Sequence, residues 1–496
     1  MSSNNVKRSS DAVTAGGHGD ISLLPELEAF RDPKSKAARA SYDDADIYRD
    51  EKSFNEHTLA PMFTTSRAYF VFVIALGIVI ANGFAWFVAQ TFLGMGQTNM
   101  HEPLFWGAYI ATFVFWVGMS HSGTIVSSIL RLSQANWRRP ILRAAEAMTA
   151  FSLLVAGMFP LVHVGRLWRV YYMFPLPNQR ELWPNFKSPL MWDMMAIGIY
   201  LTGSMTFLFI GLLPDLAVAR DKAIRENNWR RHYLSFLSLG WRGSHREWSV
   251  YNKASMFLAV AILCIAPSVH TIVSWDFAMT MTPGWHTTIF GPYFVVGAIY
   301  SGIAAVITLM ISLRWIFKLD DVIRTLHIDC LAKLLIVIAI IWTYFYFCEF
   351  NVVWYSQKPE EWGIWEWQAE RFGSFLWIMV GGSVLSIFLM SWRKIRTNMV
   401  AMFFITLLVN VGMFIERYLI VVPILSHRDS AYMWTDYVPS VTELSIIVGS
   451  FAYFVLLYAL FLKLFPIVTM ADVKEGVIVS GDVKLGRHAV RMQVKE

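Results

Sequence analysis

The sequence is poor in charge and in cysteine. Only 16% of its 496 residues are Asp, Glu, Lys or Arg, against about 25% for a typical soluble domain. That scarcity argues against an ordinary soluble enzyme. The three cysteines, Cys264, Cys330 and Cys348, are far apart, and no CxxC occurs. The spacing excludes a disulfide framework, a structural zinc, and an iron–sulfur cluster held by this chain alone. The first residues lack the basic start and apolar stretch of a signal peptide. What is abundant is apolar: 56% of the residues are hydrophobic, with 21 Trp and 36 Phe. The mean hydropathy is +0.45. This excludes a disordered chain and a nucleic-acid-binding protein, despite a pI near 9.0.

The apolar residues fall in runs long enough to cross a bilayer, which needs roughly 20 residues per helix. Ten runs are expected, near 68–94, 104–131, 144–164, 189–213, 254–280, 289–313, 332–350, 373–391, 398–422 and 443–465. The third carries Pro160 near its end. Residues 1–60 are polar and read as a cytoplasmic arm that either wraps a partner or stays disordered. Residues 467–496 read as a cytoplasmic tail. The segments between them divide into a first membrane bundle, 61–280, and a second bundle with a last helix, 281–466. Ten spans put both termini on one side. With the termini inside, the inner loops carry nineteen Lys/Arg, among them Arg131, Arg138, Arg139 and Arg143, against seven in the outer loops. This is the positive-inside pattern. Outer loops 165–188 and 351–372 mix aromatics, prolines and charges, as segments at a membrane interface or a docking face do.

A weak repeat accompanies the spans. Gly107 and Tyr109 at the start of span 2 align with Gly291 and Tyr293 at the start of span 6. Spans 5 and 9 are both followed by proline and then histidine. The fold expected is therefore all-α and polytopic, with about ten transmembrane helices. Spans 2–5 and 6–9 form two four-helix bundles in a parallel repeat, and spans 1 and 10 flank them.

Ionisable residues at membrane depth cost at least about 2.5–3.5 kcal/mol and are functional candidates by default. His163 ends span 3, Arg166 follows one turn later, Asp193 opens span 4, and Asp276 and His270 lie in the outer part of span 5. Converging on an apolar, aromatic pocket, such groups suit a quinol, whose hydroxyls lose protons as the ring loses electrons. Ser120 and His121 within span 2 and Glu146 at the inner end of span 3 could join Asp215 in a proton path, or could simply fix helix packing. Glu416 and Arg417 are adjacent, and adjacent helical side chains diverge, so contact between them is not expected. Glu349 and Glu443 are placed near them at the outer end of the second bundle. His121, His163 and His270 sit at different depths, which predicts no bound haem.

Several strings carry a specific resemblance. GMSHSGTIVSSILRL (118–132), WRRPILRAAEAMTAF (137–151), FPLVHVGRLW (159–168), LPNQRELWPNFKSPLMWD (176–193), YLTGS (200–204) and LPDLAVARD (213–221) resemble the NrfD/polysulfide reductase membrane-subunit family. They look most like the C subunit of bacterial alternative complex III. The resemblance covers spans 2–10. It implies a haemless, quinol-oxidising subunit of the bacterial inner membrane. Menaquinol or ubiquinol would be oxidised near the outer face. The partners would be an iron–sulfur subunit, multihaem cytochromes c and a second NrfD-like subunit. The family's quinol-site histidine and aspartate carry over to His163 and Asp193, with Asp276 as a third polar residue, Arg166 as a weaker one, and aromatics of 168–186 as walls. The family's proposed proton conduction maps to Ser120, His121, Glu146 and His270. Two other readings remain open: the membrane anchor of a molybdopterin-dependent reductase and, in another class, a secondary transporter.

Overall fold

The computed structural model describes residues 51–174, 189–280, 282–320, 322–427, 434–470, 478–485 and 488–495. Ten helical segments among them are long and apolar enough to span a membrane. A short helix, α1 (Glu51–Phe63), precedes the first span, α2 (Arg67–Leu93). Span 2 is α3 (Ala108–Leu132). Span 3 is split into α4 (Leu142–Ala156) and α5 (Phe159–His163). Span 4 is α6 (Pro189–Arg225), α7 (Arg231–Leu237) is a short connector, and span 5 is α8 (His245–Ala278). Spans 6 and 7 are α9 (Phe290–Phe317) and α10 (Thr325–Ser356). Span 8 comprises α11 (Pro359–Leu376), a π turn (Trp377–Gly381) and α12 (Gly382–Ser391). Then follow α13 (Arg393–Arg396), α14 (Met399–Ser426) and α15 (Val441–Leu464).

The neighbours form two rings. In the first, α3 touches α4, α4 touches α6, α6 touches α8, and α8 returns to α3. In the second, α9, α10, α12 and α14 close in the same order. Spans 2–5 and 6–9 therefore build two four-helix bundles. Helices α3 and α8 pack on α9, and α3 also packs on α14, which joins the two. The flanking spans α2 and α15 pack on each other. Gly83 and Gly449 allow their close approach: a Cβ on Gly83 would come within 2.8 Å of the Ser445 carbonyl. Small residues at such crossings are the usual device in lipid, where there is no hydrophobic drive between helices. In α3, 94% of the most apolar window is buried; in α2 it is 6%. Helix α3 is thus the centre of the body and α2 faces outward. At Gly123 the α3–α4 contact is tighter still, because a Cβ there would lie 2.1 Å from the Ala145 carbonyl.

Several helices outrun the expected spans. Helix α6 has 37 residues, α8 has 34 and α10 has 32. The polar start of α8 is capped rather than released. Ser244 and Glu247 make a capping box at the start of α8. The expected outer loop 351–372 is not a loop. Helix α10 runs to Ser356, turns through Gln357 at φ 50°, and re-enters at Pro359, which suits a helix start. Pro160 divides span 3: it stands in the first turn of α5, where its missing N–H is no loss.

The polar arm ends in structure. Leu59 and Met62 of α1 are each 1% exposed. Lys463 of α15 donates to the carbonyls of Pro61 and Thr64, 2.7 and 2.6 Å away. The tail 467–496 is also not wholly irregular. Strands Ile478–Leu485 and His488–Lys495 pair antiparallel as a hairpin. The all-α reading holds for the helical body, His57–Asp472; the hairpin belongs to a separate unit.

Candidate quinol site and the polar line through the first bundle

The expected site residues lie at the end of the first bundle where α3 begins. After the Pro160 turn, His163 closes α5. Gly165 follows at φ +73°, with Met95 so close that a Cβ would meet its sulfur at 2.8 Å. Only glycine turns the chain there without strain. The neighbouring Val162 carbonyl accepts from Gln90 Nε2 of α2 at 2.8 Å, and Tyr109 OH donates to Gln90 Oε1 at 2.7 Å. The position of His163 is therefore fixed from α2 and α3. Asp193, in the first turns of α6, is 5% exposed, and Asp276, in the last turn of α8, is 9% exposed. Helices α6 and α8 are neighbours.

All three groups have an idle polar atom. His163 Nδ1, Asp193 Oδ1 and Asp276 Oδ1 are buried and lack any hydrogen-bond partner. A buried polar atom left unpaired costs about 1–3 kcal/mol. Three at one end of the bundle suit a site that a polar ligand or water completes. His163 and Asp193 make no ion pair with each other. Arg166 is exposed and lies over the Trp168 ring, 5.8 Å from its centroid. Trp168, Tyr171 and Phe174 are all exposed. The rest of the expected aromatic wall, 175–186, lies outside the described residues.

A second set runs along α3. Ser120, His121, Thr124, Ser127 and Ser128 are all buried. Their spacing sets a polar stripe on one helix, about 12 Å from Ser120 to Ser128 at 1.5 Å per residue. His121 and His270 do not sit at different depths, as the sequence suggested. Their rings meet across α3 and α8 with centroids 4.6 Å apart. His121 Nδ1 bonds the Val117 carbonyl; His121 Nε2 and both nitrogens of His270 have no partner. Tyr200 of α6 packs on His121 at 4.9 Å. Its hydroxyl lies 2.7 Å from Thr124 Oγ1 and 3.0 Å from the Ser120 carbonyl. Toward the other end, Ser127 donates to Glu146 Oε1 at 2.6 Å. Ser120, His121, Glu146 and His270 are thus distributed along one buried polar line, with Tyr200 and Thr124 filling its middle.

Two expectations about charge are corrected. Arg143 is not a loop residue. It is fully buried in α4, and its Nη2 lies 2.9 Å from Asp215 Oδ2 of α6, both side chains 1% exposed. Arg138 and Arg139 are buried as well, at 9% and 7%. Asp215 is therefore committed to an ion pair. Glu416 and Arg417 do touch: Arg417 Nε stands 3.2 Å from Glu416 Oε2. The flexible arginine stem curls back, which a rule about helix positions cannot foresee. Glu443 also has a structural task. It closes the capping box of α15 with Ser440 and accepts from Tyr437 OH and the Asn99 N–H. Tyr200, Thr124 and Arg143 were missed because a lone tyrosine, threonine or loop-end arginine has no sequence signal of its own.

Residues 96–426 match the family model described as polysulphide reductase, NrfD. The chain belongs to the NrfD family. A curated relative from Halobacterium salinarum, described as a putative dimethyl sulfoxide reductase membrane subunit, is 30% identical over 241 residues. That alignment covers 48% of this chain and 50% of the relative, so the chain spans about half the length of the curated protein it matches. This NrfD protein is thus a multi-pass membrane subunit of the kind found in oxidoreductase complexes. The match takes in both bundles and every expected site residue.

Proposed function

We propose that this NrfD subunit exchanges protons and electrons with a quinol at the His163–Asp193–Asp276 end of its first bundle. The supporting observation is the set of three buried, unpartnered polar atoms on α5, α6 and α8. A bound quinol would donate its hydroxyl protons to these groups, and each is of a type that can take one. Its two electrons would leave one at a time through a partner that carries iron–sulfur clusters. Menaquinol and ubiquinol both fit this chemistry. We place the subunit in the cytoplasmic membrane with both termini inside, on the Lys/Arg asymmetry. The quinol end then faces outward. The His270–His121–Tyr200–Thr124 line, continued to Ser127 and Glu146, is proposed as a route for protons between that site and the inner face.

Two assemblies suit the subunit. The quoted strings favour alternative complex III, with multihaem cytochromes c and a second NrfD-like subunit. The description of the Halobacterium relative favours a molybdopterin-dependent reductase, with this chain as its anchor. The family match offers nothing for a transporter. Intact mass spectrometry of the purified complex separates the two assemblies: haem c proteins mark the first, a molybdenum protein the second. The site itself is tested by His163→Ala in the assembled complex. Quinol-dependent turnover should be lost while the complex keeps all its subunits. Normal turnover in that variant removes His163 from the site.

A further inference from the structure

The second bundle carries a cavity of its own. It lies between α9, α10, α11 and α14, holds about 60 Å³ and opens at a mouth. Three carboxylates line it: Glu349 of α10, Glu416 of α14, and Glu361 of α11, the last beside Lys358 Nζ at 3.9 Å. Tyr346 and Trp365 form an aromatic wall, their rings edge to face at 5.8 Å. Ile420 and Met379 add apolar surface.

The arrangement repeats that of the first bundle. There, the ionisable groups come from the ends of spans 3 and 5, as His163 and Asp276. Here they come from spans 7 and 9, as Glu349 and Glu416, seven and ten residues before the C-terminal ends of α10 and α14. Glu416 is 1% exposed, and its Oε2 has no hydrogen-bond partner, with Arg417 Nε 3.2 Å away as its neighbouring charge. Its other oxygen accepts from Trp342 Nε1 at 3.1 Å, which holds the carboxylate in place. Glu349 is oriented by Thr287 Oγ1, at 2.8 and 2.7 Å from its two oxygens. The wall opposite is the irregular part of span 8. Phe372 leaves helical geometry at φ −118°, ψ 18°, and the π turn places Met379 on the cavity. π turns cost regular hydrogen bonding and recur at functional sites.

We propose that this cavity is a second binding site for a hydroquinone-type ring, its hydroxyls donating to Glu349 and Glu416 and its faces packed by Tyr346 and Trp365. Two acceptors on separate walls fit a flat ring with two donor groups, whereas a simple lipid chain would use neither. The site is distinct from the first-bundle site and does not depend on that reading. The test uses the complex purified from its own membranes and a short-tailed azidoquinone, reduced and photolysed, with labelled peptides mapped by mass spectrometry. Label should appear in Thr325–Leu376. It should fall at least tenfold in Glu349→Gln, and equally in Leu376→Trp, which fills the cavity without touching a carboxylate. Label in α6 and α8 should be unchanged in both variants. Label in Thr325–Leu376 with none in α6 or α8 would support this site while removing the first. No label in Thr325–Leu376, or label undiminished in both variants, would overturn the proposal.

Discussion

Removing Asp215 would strand a charge. Arg143 and Asp215 are 2.9 Å apart, and each side chain is 1% exposed. Arg143 Nε and Nη1 have no other hydrogen-bond partner, so the guanidinium depends on Asp215 and on the Gly211 carbonyl. Asp215→Leu leaves that cation buried between α4 and α6. Breaking one partner of a buried pair costs about 3–5 kcal/mol, whereas replacing both by apolar groups of similar size is often neutral. The single variant should therefore lose about 3–5 kcal/mol, and Arg143→Met with Asp215→Leu should lose less than about 1 kcal/mol. Hydrogen exchange of the purified complex, read by mass spectrometry on peptides of α4 and α6, reports this chain alone. At 1.36 kcal/mol per decade, protection there should fall by about two to four orders of magnitude in the single variant. It should largely return in the double. A silent single variant, or a double as damaged as the single, would refute a buried, mutually dependent pair.

Other outcomes follow from the packing and the topology. Gly123→Val should cut the yield of assembled protein, because its Cβ meets the Ala145 carbonyl at 2.1 Å; overpacking of this kind costs about 1–3 kcal/mol. Gly198→Ala, with nothing within 4 Å of its Cβ, should express normally and serves as the control. Tyr200→Phe removes the hydroxyl between Thr124 and the Ser120 carbonyl. Proton uptake in proteoliposomes should slow while quinone affinity, measured by titration, stays constant. Single cysteines at Arg242 and Trp434 test orientation in sealed cells: an impermeant maleimide should label only the second.

The ten spans were legible because apolar run length and bilayer thickness are directly comparable. Their ends were not, since α8 and α10 continue into polar sequence once caps such as Ser244–Glu247 satisfy the backbone. The candidate residues were legible one by one, as rare polar groups in apolar helices. Their pairing was not. His121 and His270 are 149 positions apart, and only the α3–α8 contact sets their rings together. Arg143 reads as a loop cation until α6 supplies Asp215. Glu416 and Arg417 show the opposite error, since adjacency along the chain did not keep a long side chain from its neighbour.

The central claim is that quinol gives up its protons to the carboxylates at the α6 and α8 ends. Steady-state quinol oxidation by the purified complex carrying Asp193→Asn tests it most directly, because the amide keeps the shape and removes the base. A positioned general base contributes about 10²–10⁴-fold. Turnover should fall by at least about a hundredfold, with the complex intact. Turnover within a factor of two of the parent would contradict the account.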